Sequence, residues 1–268
     1  MLTDKDFLKV YKKLGIKCND NIMIHASLRN LGFILNYAHD VIDPLLNLVK
    51  KDGAVLVSGN TGNITDPKYW KTIKKNEYKK ARSQIRTYDP KTSIPYNRGK
   101  LPEVFLTYPN LFRSSHPTKS VMAIGKNAKY FTSYQDLYEP EGVNSPMYKL
   151  YKKKGHALFI DTDLSKFSAM HIAETLADVS YLYTTKCFVM IKDNKKNRSI
   201  KLKKYSIALN FNRIQKDLFK RGFIKTTTLN KKKIHLVKIK ESVDYATKIL
   251  KDNPEFFLYD INGKRNEV

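Results

Sequence analysis

The chain has 268 residues, 41% of them hydrophobic and 12% aromatic, the composition of an ordinary globular protein that hides roughly 70–75% of its unfolded surface on folding. No run approaches the ~18 apolar residues that cross a bilayer, and the start, MLTDKDFLKV, has no export-signal pattern, so the cytoplasm is the expected compartment and membrane insertion is excluded. Fifty Lys and Arg against twenty-five Asp and Glu give a formal charge of +25, which admits an anionic partner or, equally, the Lys, Asn, Ile and Tyr bias of an AT-rich genome.

One main domain over residues 1–268 is expected, with 181–268 as a candidate C-terminal subdomain. Thr3 can cap a helix over residues 4–14, with Phe7, Leu8, Val10, Tyr11 and Leu14 on its apolar face and Gly15 closing it. Residues 21–25, NIMIH, read as a short buried strand before a polar turn over 26–32. The Asp43-Pro44 pair reads as the start of a helix ending by Lys51. Asp52-Gly53 is a turn, and 54–57 the next strand. Strand, helix and strand in that order predict an α/β arrangement with parallel strands.

Residues 59–98 are long and irregular, with five aromatics that argue for order rather than disorder. The pattern then predicts a helix over 102–108, a polar loop over 113–120 and a strand over 121–124. A helix over 146–154, a strand over 156–160 and a helix over 168–176 follow. Beyond that, strands over 181–191 and 200–207 join through a turn at 193–197. A helix over 212–221, a strand over 235–239 and a helix over 242–251 complete the chain.

The lysine clusters at 152–154, 201–204 and 231–233 lack the aromatic interleaving of a single-strand binding platform. No nucleic-acid recognition motif is present. The two cysteines, Cys18 and Cys187, make neither a disulfide framework nor a zinc site.

Three local patterns can carry chemistry. In His171-Ile172-Ala173-Glu174 the i, i+3 spacing puts both side chains on one helix face. With Ser168 as cap, His171 falls in the first turn, where the helix dipole lowers its pKa, while Glu174 pulls the other way and can orient the ring. The same spacing also fits a surface ion pair. The segment Arg113-Ser114-Ser115-His116-Pro117-Thr118-Lys119-Ser120 packs cations and hydroxyls that suit a phosphate, or a polar turn. The segment His25-Ala26-Ser27-Leu28-Arg29-Asn30-Leu31-Gly32 follows a strand, where open α/β sheets bind ligands, and Ser27 with backbone amides suits an anion there.

Taken in order, "MIHASLRNLG", "VIDPLLNLVKKDGAVLVSGN", "YDPKTSIPYNRGKLPEVF", "RSSHPTKSVMAIG", "GVNSPMYKLYKKKGHALFI" and "SAMHIAETLAD" resemble the sequential blocks of the aminoglycoside 3-N-acetyltransferase family. The resemblance runs from about residue 20 to 180 and more loosely through "NPEFFL". It implies a three-layer α/β/α sandwich with a mixed sheet, distinct from the GNAT-type acetyltransferase fold. It implies acetyl-CoA or another acyl-CoA as co-substrate and no metal.

The same resemblance implies His171 as the catalytic base, with Glu174 as its helix partner. Coenzyme A contacts are implied at Ser27, Leu28 and Arg29, and at Arg113, Ser114, Ser115, His116, Ser120 and Ala123. The acceptor is implied at Tyr88, Asp89, Glu141 and Asn144. One departure bears on acceptor recognition: residues 134–141 hold none of the histidine that many family members place ahead of the Gly-x-x-Ser-Pro block.

The expected reaction is transfer of a short acyl group from acyl-CoA to an amino sugar by a monomer or homodimer. A protein at +25 repels a polycation at long range, so the acceptor expected from charge is a nucleotide-linked amino sugar of surface polysaccharide synthesis. The alternative is an aminoglycoside, with antibiotic resistance as the consequence. A further alternative is a non-catalytic, basic nucleic-acid-binding protein on a degenerate transferase scaffold.

Overall fold

A computed structural model of the chain describes residues 1–181, 185–193, 196–204, 209–258, 260–261 and 264–265. Helix α1, Asp4–Leu14, is bounded by its own sequence. The amide and hydroxyl of Thr3 donate to Asp6 at 2.8 and 2.9 Å, and Gly15 turns left-handed at φ 81°.

Strand β1, Asn21–Ala26, leads to helix α2, Ala38–Val49. This helix starts well before Asp43-Pro44, the start expected from sequence. The cause is Asp40, whose carboxylate accepts from the backbone and side-chain nitrogens of Asn36 at 2.8 and 2.9 Å. That pair fixes the first turn and leaves Pro44 inside the helix. Strand β2, Ala54–Ser58, is entered through Gly53, where a Cβ would lie 2.0 Å from the Asp20 carbonyl oxygen.

The segment expected to be irregular holds short 3₁₀ turns and helix α3, Tyr78–Gln84. Buried Asp66 anchors it by accepting from Arg82 at 3.0 Å. Then come helix α4, Lys100–Leu106, strands β3, Phe112–Arg113, and β4, Val121–Gly125, and helices α5, Ala128–Thr132, and α6, Pro146–Lys152. Strand β5, His156–Ile160, precedes helix α7, Met170–Ala177.

Strands β6, Thr185–Asp193, and β7, Lys196–Lys204, form an antiparallel hairpin with its own two-stranded sheet. The side chain of Cys187 and residues 205–207 of the expected second strand lie outside what is described. Helix α8, Gln215–Lys220, strands β8, Ile224–Leu229, and β9, Lys232–Lys238, and helix α9, Ile239–Asp252, follow. Strand β8, IKTTTL, has no counterpart in the sequence reading; its three threonines give no apolar alternation.

Among the described residues the main sheet runs β3-β4-β2-β1-β5-β9-β8. Strands β2, β1 and β5 are parallel at its centre, and the flanking strands pair antiparallel, so the sheet is mixed. The central strands read as continuous apolar runs because both faces are covered. Ile22, Ile24, Val55, Val57, Leu158 and Ile160 join one buried cluster with α1, α2 and α4. Met23, Ala54, Leu56, Ala157 and Phe159 join the other, with α5, α6, α7 and α9.

Phe159 is fully buried, stacked on His25 at 4.9 Å and edge-on to Phe167 at 5.5 Å. Phe159→Ala is expected to cost about 3–5 kcal/mol in urea unfolding, from lost transfer energy plus the cavity left behind. A loss below about 1 kcal/mol would mean that the ring is not a core element. No helix among the described residues is long and apolar enough to cross a membrane.

Candidate active site

The carboxyl ends of β1, β2 and β5 open into a cavity of about 810 Å³, reached by His25, Ser27, Ser58 and Thr162. This is the crevice that an open α/β sheet offers a ligand. The segment over residues 59–99 returns to it through Asn60, Asn97 and Arg98, and α7 brings His171 to it.

His171 is the second residue of α7. Its Nδ1 lies 2.6 Å from Oε2 of Glu174, one helical turn on and fully buried. Read as a donated Nδ1–H, that bond leaves the lone pair of Nε2 on the cavity side. The ring also packs edge-on against Phe211 at 5.3 Å, and Phe211 is held edge-on by Phe257 at 5.1 Å. Helix α7 starts without the expected Ser168 cap: Ala169 takes that place, and the Ser168 hydroxyl points to the Met147 sulfur at 3.7 Å.

The expected lowering of the His171 pKa is also overturned. Burial does act to lower it, but the carboxylate of Glu141 and then the hydrogen bond to Glu174 outweigh burial and raise it. Glu141 Oε1 stands 3.9 Å from Nε2. Its other oxygen accepts from the Lys119 ammonium at 3.0 Å. Burial alone would raise Glu141, but Lys119 and then His171 bring it down to about 2. It is a carboxylate at neutral pH. Tyr181 is raised by burial and then by Glu174, and stays a phenol.

Of the residues singled out from the sequence, Ser27, Leu28, Arg29, Glu141 and His171 line the cavity, and Glu174 stands directly behind His171. The segment from Arg113 to Ala123 contributes differently. The Arg113 guanidinium donates to the carbonyl oxygens of Gly59, Ser93 and Pro90 and to the Ser120 hydroxyl, and lies 5.1 Å from the Tyr88 ring. The buried Ser120 hydroxyl donates to Gly59 at 2.9 Å. The buried Ser114 hydroxyl donates to Gln135 at 2.7 Å and accepts from the Val121 amide at 2.8 Å.

His116 is buried, and burial brings its pKa down to about 4. Its Nδ1 accepts from the amides of Thr118 and Lys119 at 3.1 and 2.9 Å, so Nε2 carries the proton and donates to the Leu137 carbonyl at 3.1 Å. Ser115 is exposed, and Ala123 is buried in β4. The Tyr88 hydroxyl donates to the Ser114 carbonyl at 2.5 Å. Asp89 and Asn144 are exposed away from the cavity lining.

Within residues 134–141, which hold no histidine, Gln135 ties Ser114 to the carbonyls of Lys119 and Pro140 at 2.9 and 2.8 Å. It thereby holds the two loops that carry Lys119 and Glu141. The sequence reading missed Lys119, Arg98, Lys100 and Phe211 as cavity residues. Lys119 lay inside a segment already singled out, but nothing in its spacing tied it to Glu141. His25, at the head of the segment singled out after β1, is brought down to about 4 by burial and then by Arg98, so its ring is neutral.

The family model described as Aminoglycoside 3-N-acetyltransferase matches residues 23–251. Aminoglycoside N(3)-acetyltransferase III of Salmonella sp is 31% identical over 181 residues, 67% of this chain and 62% of that protein. The aminoglycoside N(3')-acetyltransferase-like protein YokD of Bacillus subtilis is 27% identical over 175 residues, 64% of each chain. These sequence matches span less than two thirds of the relatives' own length.

The crystal structure of YokD superimposes with a TM-score of 0.85 at 23% identity, covering 95% of both chains. The structure of AAC-IIIb as a binary complex with CoASH superimposes with a TM-score of 0.81 at 22% identity, covering 97% of this chain and 98% of the other. With the family model matched over most of its length, this chain belongs to the aminoglycoside 3-N-acetyltransferase family.

Proposed function

We propose that the protein transfers an acetyl group from acetyl-CoA to an amine of an aminoglycoside-type amino sugar, with Nε2 of His171 as general base. The observation that carries this reading is the Glu174–His171 pair, 2.6 Å apart, set at the wall of a large cavity. Glu174 holds the imidazole in the Nδ1–H tautomer and stabilises its protonated form.

Acetyl-CoA supplies a thioester carbon. A nitrogen–carbon bond forms there as the carbon–sulfur bond breaks. Two protons leave an ammonium on its way to an amide. One is released to water, and the other passes through Nε2 to the departing thiolate. General-base help of this kind contributes about 10²–10⁴-fold in rate.

The cavity suits the donor. Arg29, Arg98, Lys100 and Lys166 line it, and among the described residues Glu141 is the acid that does so. Cations in that number match the phosphates of coenzyme A, the ligand of the AAC-IIIb complex. Donor phosphates therefore account for the local charge, and charge no longer argues for the nucleotide-linked acceptor expected from the sequence. The Salmonella relative is an aminoglycoside N(3)-acetyltransferase, which favours the aminoglycoside alternative.

We read the architecture as a three-layer α/β/α sandwich, distinct from the GNAT-type fold. The division of its buried side chains into a cluster on each sheet face supports this. A single catalytic unit is supported by β8 and β9, which extend the same sheet as β1 and β5.

Acetyl-CoA at 100 times its Kd is expected to stabilise the protein by about 2.7 kcal/mol. With an acceptor panel, aminoglycosides are expected to show higher kcat/KM than nucleotide-linked amino sugars. The reverse ranking overturns the acceptor half of the proposal. Absence of both stabilisation and thiol release, with salt-dependent RNA binding instead, favours the non-catalytic alternative.

A further inference from the structure

The ion pair between Lys119 and Glu141 joins two loops, one ahead of β4 and one ahead of α6, at the wall opposite Nε2 of His171. Glu141 is largely buried, and its two oxygens have different neighbours. Oε2 lies 3.0 Å from the Lys119 ammonium, and Oε1 lies 3.9 Å from Nε2. The second distance is long for a direct hydrogen bond, yet it has a use. A nitrogen placed about 2.8 Å from both Oε1 and Nε2 sees them about 90° apart. That is about 20° less than the angle between two N–H bonds of an ammonium, so each bond stays within about 10° of the line to its acceptor. One amine can therefore donate to both atoms at once.

We propose that Lys119 is a positioning residue: by holding Oε2 of Glu141 it keeps Oε1 turned toward Nε2 of His171, and the two atoms form a clamp for the acceptor amine. Two buried anchors fix Lys119 in turn. His116 Nδ1 accepts its amide at 2.9 Å, and Gln135 donates to its carbonyl at 2.9 Å. The inference rests on the acyl-transfer reading and adds a recognition element to it: the acceptor is bound through the reacting amine itself, in its charged form, by Glu141.

Among the described residues, the charged groups that act on His171 include Glu174 on its own helix and Glu141 and Lys119 from the two loops; His116 stands beside Glu141. Arg29, Arg98, Lys100 and Lys166 share the cavity. Helix α9, packed on α7, contributes buried Val243, Ala246 and Leu250 to the same cluster, and the segment before α8 contributes the uncharged Phe211 ring.

Without Lys119, Glu141 is free to pair directly with protonated His171, and the base form is reached at higher pH. Lys119→Met is therefore expected to lower kcat at neutral pH by about 10–10²-fold and to move the ascending limb of the kcat/KM profile to higher pH. The KM for acetyl-CoA stays nearly constant, and Lys119→Arg restores part of the rate. Glu141→Gln moves the ascending limb the other way, to lower pH. If Lys119→Met instead raises the KM for acetyl-CoA with kcat and the pH profile unchanged, Lys119 is a donor contact and the proposal falls.

An NMR titration of the His171 ring in the full-length resting protein separates this inference from the function. Its midpoint rises in Lys119→Met and falls in Glu141→Gln if the pairing stands. Unchanged midpoints overturn the positioning role. Failure of the wild type to release thiol with any acceptor overturns the acyl-transfer reading, and with it the clamp.

Discussion

His171→Asn is expected to lower kcat by about 10²–10⁴-fold, the share that a positioned general base contributes, and to leave acetyl-CoA affinity within about twofold. The asparagine side chain retains much of the polarity and volume of the ring but cannot take a proton. The side chain of His171 lines the cavity and meets Glu174, Glu141 and Phe211, so its loss removes the base while leaving the basic lining from Arg29 to Lys166 in place. Steady-state kcat and isothermal titration with acetyl-CoA check the two halves separately. A kcat close to wild type would show that another group takes the proton.

Glu174 carries the second large effect. It is fully buried and meets the imidazole at 2.6 Å, so it both orients the ring and offsets the positive charge that develops on it. Glu174→Gln keeps the shape and removes the charge. Loss of the carboxylate behind a catalytic imidazole costs on the order of 10²–10⁴-fold in kcat, the upper end arising when the tautomer is also lost.

The pH dependence follows from signs. Glu174 raises the His171 pKa, so its neutralisation lowers that pKa. The ascending limb of kcat/KM then moves to lower pH while the plateau falls. Wild-type protein, by contrast, gains its base form only as pH rises past the usual histidine value of about 6.5. Glu174→Ala also leaves the Nδ1–H without its partner, at an expected cost of about 1–3 kcal/mol in unfolding free energy. A rate loss in Glu174→Gln with no movement of the pH limb would assign Glu174 to the fold and not to the base.

How much of this was legible in the sequence differs from element to element. Helix α1 was legible because Thr3, Asp6 and Gly15 are local signals at its ends. The run HALFI matched β5 at both ends, since Gly155 and Asp161 bracket an apolar stretch. The start of α2 was not legible. Asp43-Pro44 is the stronger local pattern, and the pair that wins, Asn36 with Asp40, is recognisable only once Asp40 is known to be buried.

At the site, the i, i+3 spacing of His171 and Glu174 was readable, but the sign of the His171 shift was not. The helix dipole is a local field, whereas Glu141 arrives from a loop thirty residues earlier. The segment around Arg113 shows the same limit in another form. Arg, Ser and His in a short run suit a phosphate and suit a braced loop equally well, and only the partners distinguish them. Here the guanidinium meets carbonyls of the chain itself. Phe211, forty residues beyond His171, offered no signal in its spacing.

Mass spectrometry of the acceptor after incubation with acetyl-CoA tests the central claim most directly. An aminoglycoside incubated with wild-type protein is expected to gain one acetyl group on nitrogen, and the same incubation with His171→Asn to yield almost none. An unmodified aminoglycoside with the wild type, or equal acetylation by both proteins, would contradict the account.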